Sequence, residues 1–180
     1  MRKPERPYWK RNMPRPKPRV LLDTNVLVSG LVFLKGKEHK ILKLAEQGEI
    51  VLVLPEFVLE EALVVLARTF RGYENVLDTF LSRIEHRIPS WRDFGRLVPT
   101  CVSRVRDKKD APLFASVIAA KPDFTVTGDV TLREDLKKSR EVADITEICS
   151  SAEFLNKVPK VMVMSPTKNR GDHEPLTRAR

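Results

Sequence analysis

The sequence predicts an α/β fold built on a parallel sheet covered on both faces, with basic, disordered N- and C-terminal tails. Three observations carry that expectation. Short apolar runs alternate with longer stretches of helical periodicity, two of the runs are followed within two residues by an aspartate, and the excess positive charge is confined to the chain ends. Strands separated by helices need crossover connections, which make the strands parallel and place helices on both sides of the sheet.

Each element follows from local pattern. Residues 19–22 (Arg-Val-Leu-Leu) read as a strand ending at Asp23. Ile41, Leu42, Leu44 and Ala45 space an amphipathic helix over residues 37–47, stopped by Gly48, and residues 50–54 are a second buried strand. Pro55 suits a first helical turn and opens a helix to about residue 69. Its near-continuous apolar residues predict burial on every face. Val76, Leu77, Phe80, Leu81 and Ile84 place a helix over residues 73–86, and Trp91 and Phe94 should anchor the following loop to the core. A helix over residues 113–120 leads to a strand at 124–127, a turn at Gly128-Asp129, a strand at 142–145 and a last short helix at 152–157. No repeat of solenoid period is present.

Composition divides the chain into a basic Pro-rich arm (residues 1–18), one globular domain (19–160) and a polar tail (161–180). Across 180 residues, 42% hydrophobic content is enough for one sizeable core. The net charge of +9 comes from the ends: residues 1–19 carry eight Lys/Arg and one acid, residues 164–180 four and two, and the rest is neutral. Such arms can grip phosphates regardless of sequence while the core keeps a local cluster of acids. In the first arm Tyr8 and Trp9 are placed either to stack on unpaired bases or to pack on the protein's own surface. No apolar run approaches the roughly 20 residues of a membrane span. Two cysteines, Cys101 and Cys149, match no metal spacing and predict reduced thiols in a soluble, cytoplasmic protein.

Ligands of open α/β sheets bind outside the carboxyl ends of the strands, which draws attention to the acids found there. Asp23 follows the first strand and Asp129 the strand at 124–127. Asp110 precedes Ala111-Pro112 and a helix, and Glu60 and Glu61 lie inside the helix after Pro55, where a buried carboxylate needs a partner. Each has a plainer role open to it. Asp110 and Asp23 sit where helix caps belong, Asp129 where turn residues belong, and Glu61 can pair with Arg68 on its own helix face. Asp107 precedes Asp110 by three residues, and Arg104, Arg106, Lys108 and Lys109 flank them as either phosphate contacts or a solvated basic loop. His39, His86 and His173 are scattered, so no catalytic histidine is expected.

The runs VLLDTNVLVSGLVF (20–33), LPEFVLEEALVVL (54–66), VRDKKDAPLFASVIAAKPDFTVTGDVTL (105–132) and SSAEFL (150–155) resemble the PIN-domain family, in the order that family shows them. The likeness covers about residues 19–158. It implies an α/β/α sandwich on a central parallel sheet and Mg²⁺- or Mn²⁺-dependent endonucleolytic cleavage of RNA. Carried over residue by residue, it places the metal-binding, catalytic acids on Asp23, Glu61, Asp110 and Asp129, with Thr24, Asn25 and Thr127 in support. Glu60 beside Glu61 and Asp107 before Asp110 depart from the pattern and compete for those two places. The resemblance also implies RNA as substrate, an antitoxin protein as partner if the chain is a VapC-type toxin, and a homodimer as a further assembly.

The implied chemistry suits the residue types. Hard divalent cations select oxygen ligands, and Mg²⁺ takes one or two carboxylates while keeping several waters. A metal-activated water attacking in line would leave 5′-phosphate and 3′-hydroxyl ends. Two rivals are a non-catalytic PIN-like RNA-binding module and a phosphatase using Asp23 as nucleophile. The first leaves four filled acidic positions without purpose, and the second wants an acid where Asn25 stands.

Overall fold

The computed structural model describes residues 17–163, residues 71 and 74 excepted. The arm before Lys17 with Tyr8 and Trp9, and the tail from residue 164 with His173, lie outside the described residues. Within them five strands form one sheet: β1 (Arg19–Leu22), β2 (Val51–Val53), β3 (His86–Arg87), β4 (Phe124–Val126) and β5 (Glu147–Cys149). The order is β3-β2-β1-β4-β5, and every neighbouring pair is parallel. The helices are α1 (Thr24–Val32), α2 (Lys37–Glu46), α3 (Glu56–Thr69), α4 (Val76–Leu81), α5 (Trp91–Phe94), α6 (Val98–Cys101), α7 (Ala111–Ala120), α8 (Val130–Lys138), α9 (Arg140–Ala143) and α10 (Ser151–Val163). α1 packs on α2 and α3, with α10 against α2, while α5, α6 and α9 gather around α7, giving the two helical layers of an α/β/α sandwich.

The central strands are apolar because both faces are covered. Val20, Leu21, Leu22, Leu52 and Val126 are wholly buried, and the buried Thr125 is satisfied by the Thr146 hydroxyl at 3.0 Å. Gly30 permits the close approach of α1 and α2, since a Cβ there would stand 2.8 Å from Leu42 Cδ1. Cys101 and Cys149 are both free and buried, and burial pushes the Cys149 thiol up to about 12. Among the described residues no helix is long and apolar enough to cross a membrane.

Several elements differ from the sequence expectation. The helix expected over residues 73–86 spans only Val76–Leu81, because the chain then turns to donate His86–Arg87 to the sheet edge beside β2. The strand expected at 142–145 is a helical turn, Arg140–Ala143, with only Val142 buried, and the strand comes later, at Glu147–Cys149. α3 is not buried all round. It buries the stripe Val58, Ala62 and Leu66, while Leu63 and Val64 are exposed, so the apolar run there overstates the contact with the core. The loop anchor is Phe94, fully buried, whereas Trp91 is exposed at its rim and stacks at 4.9 Å on Phe94. The last helix runs from Ser151 to Val163, longer than the short helix expected at 152–157.

Candidate active site

β1 and β4 are neighbours, yet the chain leaves β1 toward β2 on one side and leaves β4 toward β5 on the other. That reversal opens a crevice at the carboxyl ends of β1 and β4, where open sheets bind their ligands. The register sets the residues that face it. Leu22 pairs with Val126, and the Asp23 N–H donates to the Val126 carbonyl at 3.1 Å, so Asp23 and Thr127 come side by side just beyond the sheet.

Asp23 occupies the N-cap position of α1, but its carboxylate caps none of the N–H groups beyond Thr24. Instead Oδ2 accepts the Thr127 hydroxyl at 2.7 Å. Thr127 is fully buried and in turn accepts from the Asp129 N–H at 3.1 Å, so the three residues form one donor chain ending on Asp23. Burial raises the Asp23 carboxyl above its ordinary value, and the negative charges of Glu61 and Asp129 raise it further. The Thr127 hydroxyl and the Thr24 N–H oppose that rise by stabilising the ionised form.

Glu61 reaches the same crevice from α3. Its Oε2 accepts the hydroxyl of the buried Thr24 at 2.6 Å. The alternative partner on its own helix, Arg68, is therefore not what orients it. Glu60 is exposed. Asp129 caps α8, its Oδ1 accepting the Leu132 N–H at 3.0 Å, so the cap role open to it in the sequence is real and uses one of its two oxygens.

Asp110 sits at the N-cap position of α7 without a capping bond. Desolvation pushes its carboxyl up to about 6, and the charges of Asp129, Asp107 and Asp23 act in the same direction. Asp107 is exposed and caps the 3-10 turn Lys108–Asp110 through the Lys109 N–H at 2.9 Å. Like charges are thus held close, with Asp110 and Asp23 each feeling Asp129. A cation between them would relieve that repulsion.

The flanking residues divide. Asn25, Lys108 and Lys109 are exposed. Arg104 is paired with Glu141 at 2.6 Å, and Arg106 is held by Asp135 and Glu134, each at 2.8 Å, so both cations are engaged within the protein. Asp135 escaped the sequence reading because α8 did. Its signal is Leu132 and Leu136 at i, i+4, with Asp135 adjoining the buried face. His39 and His86 bond the carbonyls of Gly30 and Ile84, away from the acids.

No group of three or more Asp, Glu, His or Cys side chains stands in metal-holding geometry among the described residues. The donor chemistry still fits a hard cation. All the converging groups are oxygens, two carboxylates are destabilised by their neighbours, and Mg²⁺ is satisfied by one or two carboxylates with water completing its shell.

The PIN domain profile matches residues 19–131, from the first residue of β1 to the start of α8. The chain belongs to the PIN-domain family. PIN domains are in general nucleases and in general use divalent metal ions. Among solved structures, this PIN domain is similar to VapBC2 from Rickettsia felis bound to a DNA fragment from their promoter. The identity is 19%, the match covers 73% of this chain and 98% of that chain, and the TM-score is 0.52. It is also similar to PAE2754 from Pyrobaculum aerophilum, at 20% identity over 79% of this chain and 90% of that one, with a TM-score of 0.49. No curated protein matches the sequence.

Proposed function

We propose that this PIN domain is a metal-dependent endoribonuclease whose catalytic acids are Asp23, Glu61, Asp110 and Asp129. The observation that carries the reading is the mutual influence of those carboxylates at the β1–β4 crevice: Asp23 feels Glu61 and Asp129, and Asp110 feels Asp129 and Asp23. Burial of Asp23 and Asp110 beside further acids costs the fold stability that a bound cation would recover.

In this reading Asp23, Asp110 and Asp129 would hold Mg²⁺ or Mn²⁺, with Glu61 as a further oxygen donor. When bound, the ion would lower the pKa of a coordinated water to make a nucleophile and neutralise charge on the phosphoryl oxygens. The Thr127 hydroxyl aims Asp23 and favours its ionised form, and the Thr24 hydroxyl aims Glu61. Asp110 is preferred to Asp107 because it is the partly buried member of the pair and lies within the influence of both Asp129 and Asp23, whereas Asp107 is exposed and caps its own turn. Glu61 is preferred to Glu60 because it alone reaches Thr24. Lys108 and Lys109, exposed beside Asp110, are placed to meet backbone phosphates of RNA, and the basic arm adds a sequence-independent grip.

A VapC-type toxin paired with an antitoxin in a cytoplasm is the setting we assign to that activity, supported by the sequence resemblance and by the fold shared with the Rickettsia felis VapBC2 structure. The test is cleavage of single-stranded RNA by EDTA-treated protein with Mn²⁺ or Mg²⁺ restored, read with the thermal shift each ion causes. Metal-restored cleavage with a rise in Tm supports the nuclease; RNA binding with no cleavage and no thermal shift points to the binding module instead.

A further inference from the structure

Arg106 and Asp135 make the most extensive side-chain junction beside the acidic crevice. The Arg106 backbone N–H donates to Asp135 Oδ2 at 2.8 Å and its Nε to Oδ1 at 2.8 Å, so one residue grips both carboxylate oxygens. Nη2 donates in addition to the Thr131 carbonyl and to Glu134 Oε2, each at 2.8 Å. Asp135 is 5% exposed, and the Lys138 ammonium lies 4.0 Å from its Oδ1. A carboxylate that buried costs several kcal/mol unless it is paired and hydrogen-bonded, which Arg106 achieves with a planar fork that Lys cannot copy.

The junction joins two of the segments that deliver acids to the crevice. Asp135 lies six residues after Asp129 on the helix that Asp129 caps. Arg106 lies four residues before Asp110, and the short path between them is stiffened by the Asp107 cap and by the Asp110 N–H bonded to the Asp107 carbonyl at 3.0 Å. Because the Arg106 main chain is itself a donor, the bond fixes the course of the loop and not merely a side chain.

Resting on the nuclease reading above, we infer that Arg106 and Asp135 are a pair of positioning residues that set Asp110 against Asp129 for metal binding, and that Arg106 is not a phosphate contact. Residues behind metal ligands typically change metal affinity or activity by about 10- to 100-fold when replaced. The two act as one unit, so their replacements should not add.

The test uses the full chain with the substitutions Arg106→Gln, Arg106→Lys and Asp135→Asn and the double variant Arg106→Gln/Asp135→Asn, each shown to be folded by circular dichroism. Mn²⁺ alone is titrated by the free-ion EPR signal, RNA affinity is followed against salt without divalent ions, and kcat and KM are separated. The expected result is Mn²⁺ affinity about tenfold or more weaker for Arg106→Gln and Asp135→Asn. The double variant should be no weaker than the worse single one, Arg106→Lys should recover part of the loss, and kcat should fall with KM and the salt slope little changed. Arg106 is half exposed, so its variants remain informative if Asp135→Asn does not fold. Native Mn²⁺ affinity in the folded Arg106→Gln variant, or in both singles, overturns this inference and leaves the nuclease intact. A salt slope flattened by Arg106→Gln but not by Asp135→Asn also overturns it, by making Arg106 a phosphate contact. Absence of Mn²⁺ binding by the native chain overturns the nuclease reading and this inference with it.

Discussion

The Thr127 hydroxyl donates to Asp23 Oδ2 at 2.7 Å, tying together residues 104 apart in sequence at the point where the sheet reverses its winding. The bond opposes the effect of burial and of the neighbouring acids on the Asp23 carboxyl. Thr127→Val keeps the shape of the side chain but removes that donor and the acceptor used by the Asp129 N–H. Cleavage should fall by about 10- to 100-fold, and stability by about 1 kcal/mol for the hydrogen bonds lost. Wild-type kcat/KM in this variant would show that the hydroxyl does not tune Asp23.

The two adjacent glutamates should separate cleanly. Glu61→Gln keeps an acceptor for the Thr24 hydroxyl while deleting the charge, so cleavage should drop by about a hundredfold with the fold retained. Glu60→Gln, which leaves the Glu61–Thr24 bond in place, should change it by less than about tenfold, or about 1.4 kcal/mol in the barrier. Cleavage under saturating metal measures both, and the opposite ranking would assign the site to Glu60.

The raised Asp110 carboxyl predicts a pH dependence of a definite sign. An ordinary aspartate titrates at 3.8, and Asp110 in the fold at about 6. Between those values the folded chain holds more protons than the unfolded one, so this group's contribution to stability declines as pH rises and its penalty is complete above about pH 6. In metal-free protein Asp110→Asn should therefore raise Tm, and by more at about pH 7.5 than at about pH 4.5. Divalent metal, which binds the ionised native site, should remove the advantage of the variant. An equal Tm difference at both pH values would remove Asp110 from the coupled cluster.

Gly30 is required for packing rather than chemistry. Its absent Cβ would meet Leu42 Cδ1 at 2.8 Å and the Glu38 backbone at 3.1 Å. Alanine gains about 1 kcal/mol in helix propensity, but overpacking costs about 1–3 kcal/mol. Gly30→Ala should be neutral to destabilising and Gly30→Val clearly destabilising, as thermal denaturation would show. Undiminished stability in Gly30→Val would mean that α1 and α2 separate freely.

The sheet's centre was legible because β1, β2 and β4 are short, mainly apolar runs buried on both faces, and Asp23 and Asp129 were legible because they come just after such strands. The edges were not. β3 is His86–Arg87, held by backbone pairing beside Leu52 and Val53, and β5 begins on Glu147, so neither carries an apolar run. Glu61 could be proposed but not oriented, since Thr24 lies 37 residues away. Likewise Arg106 reads as a free cation in a basic loop until α8 brings Asp135 beneath it. Cap positions misled in both directions: Asp129 caps its helix, whereas Asp23 and Asp110 occupy cap positions without capping the turn that follows.

The most direct measurement of the account is RNA cleavage by Asp23→Asn and Asp129→Asn protein with Mn²⁺ at saturating concentration. Each substitution removes a negative charge at nearly constant volume, and the side-chain amide introduced by Asp129→Asn would still offer an oxygen to the Leu132 N–H. We predict that both variants fold, bind RNA with near-native affinity and lose cleavage by orders of magnitude. Near-native cleavage by both would contradict the assignment of the β1–β4 crevice as the active centre.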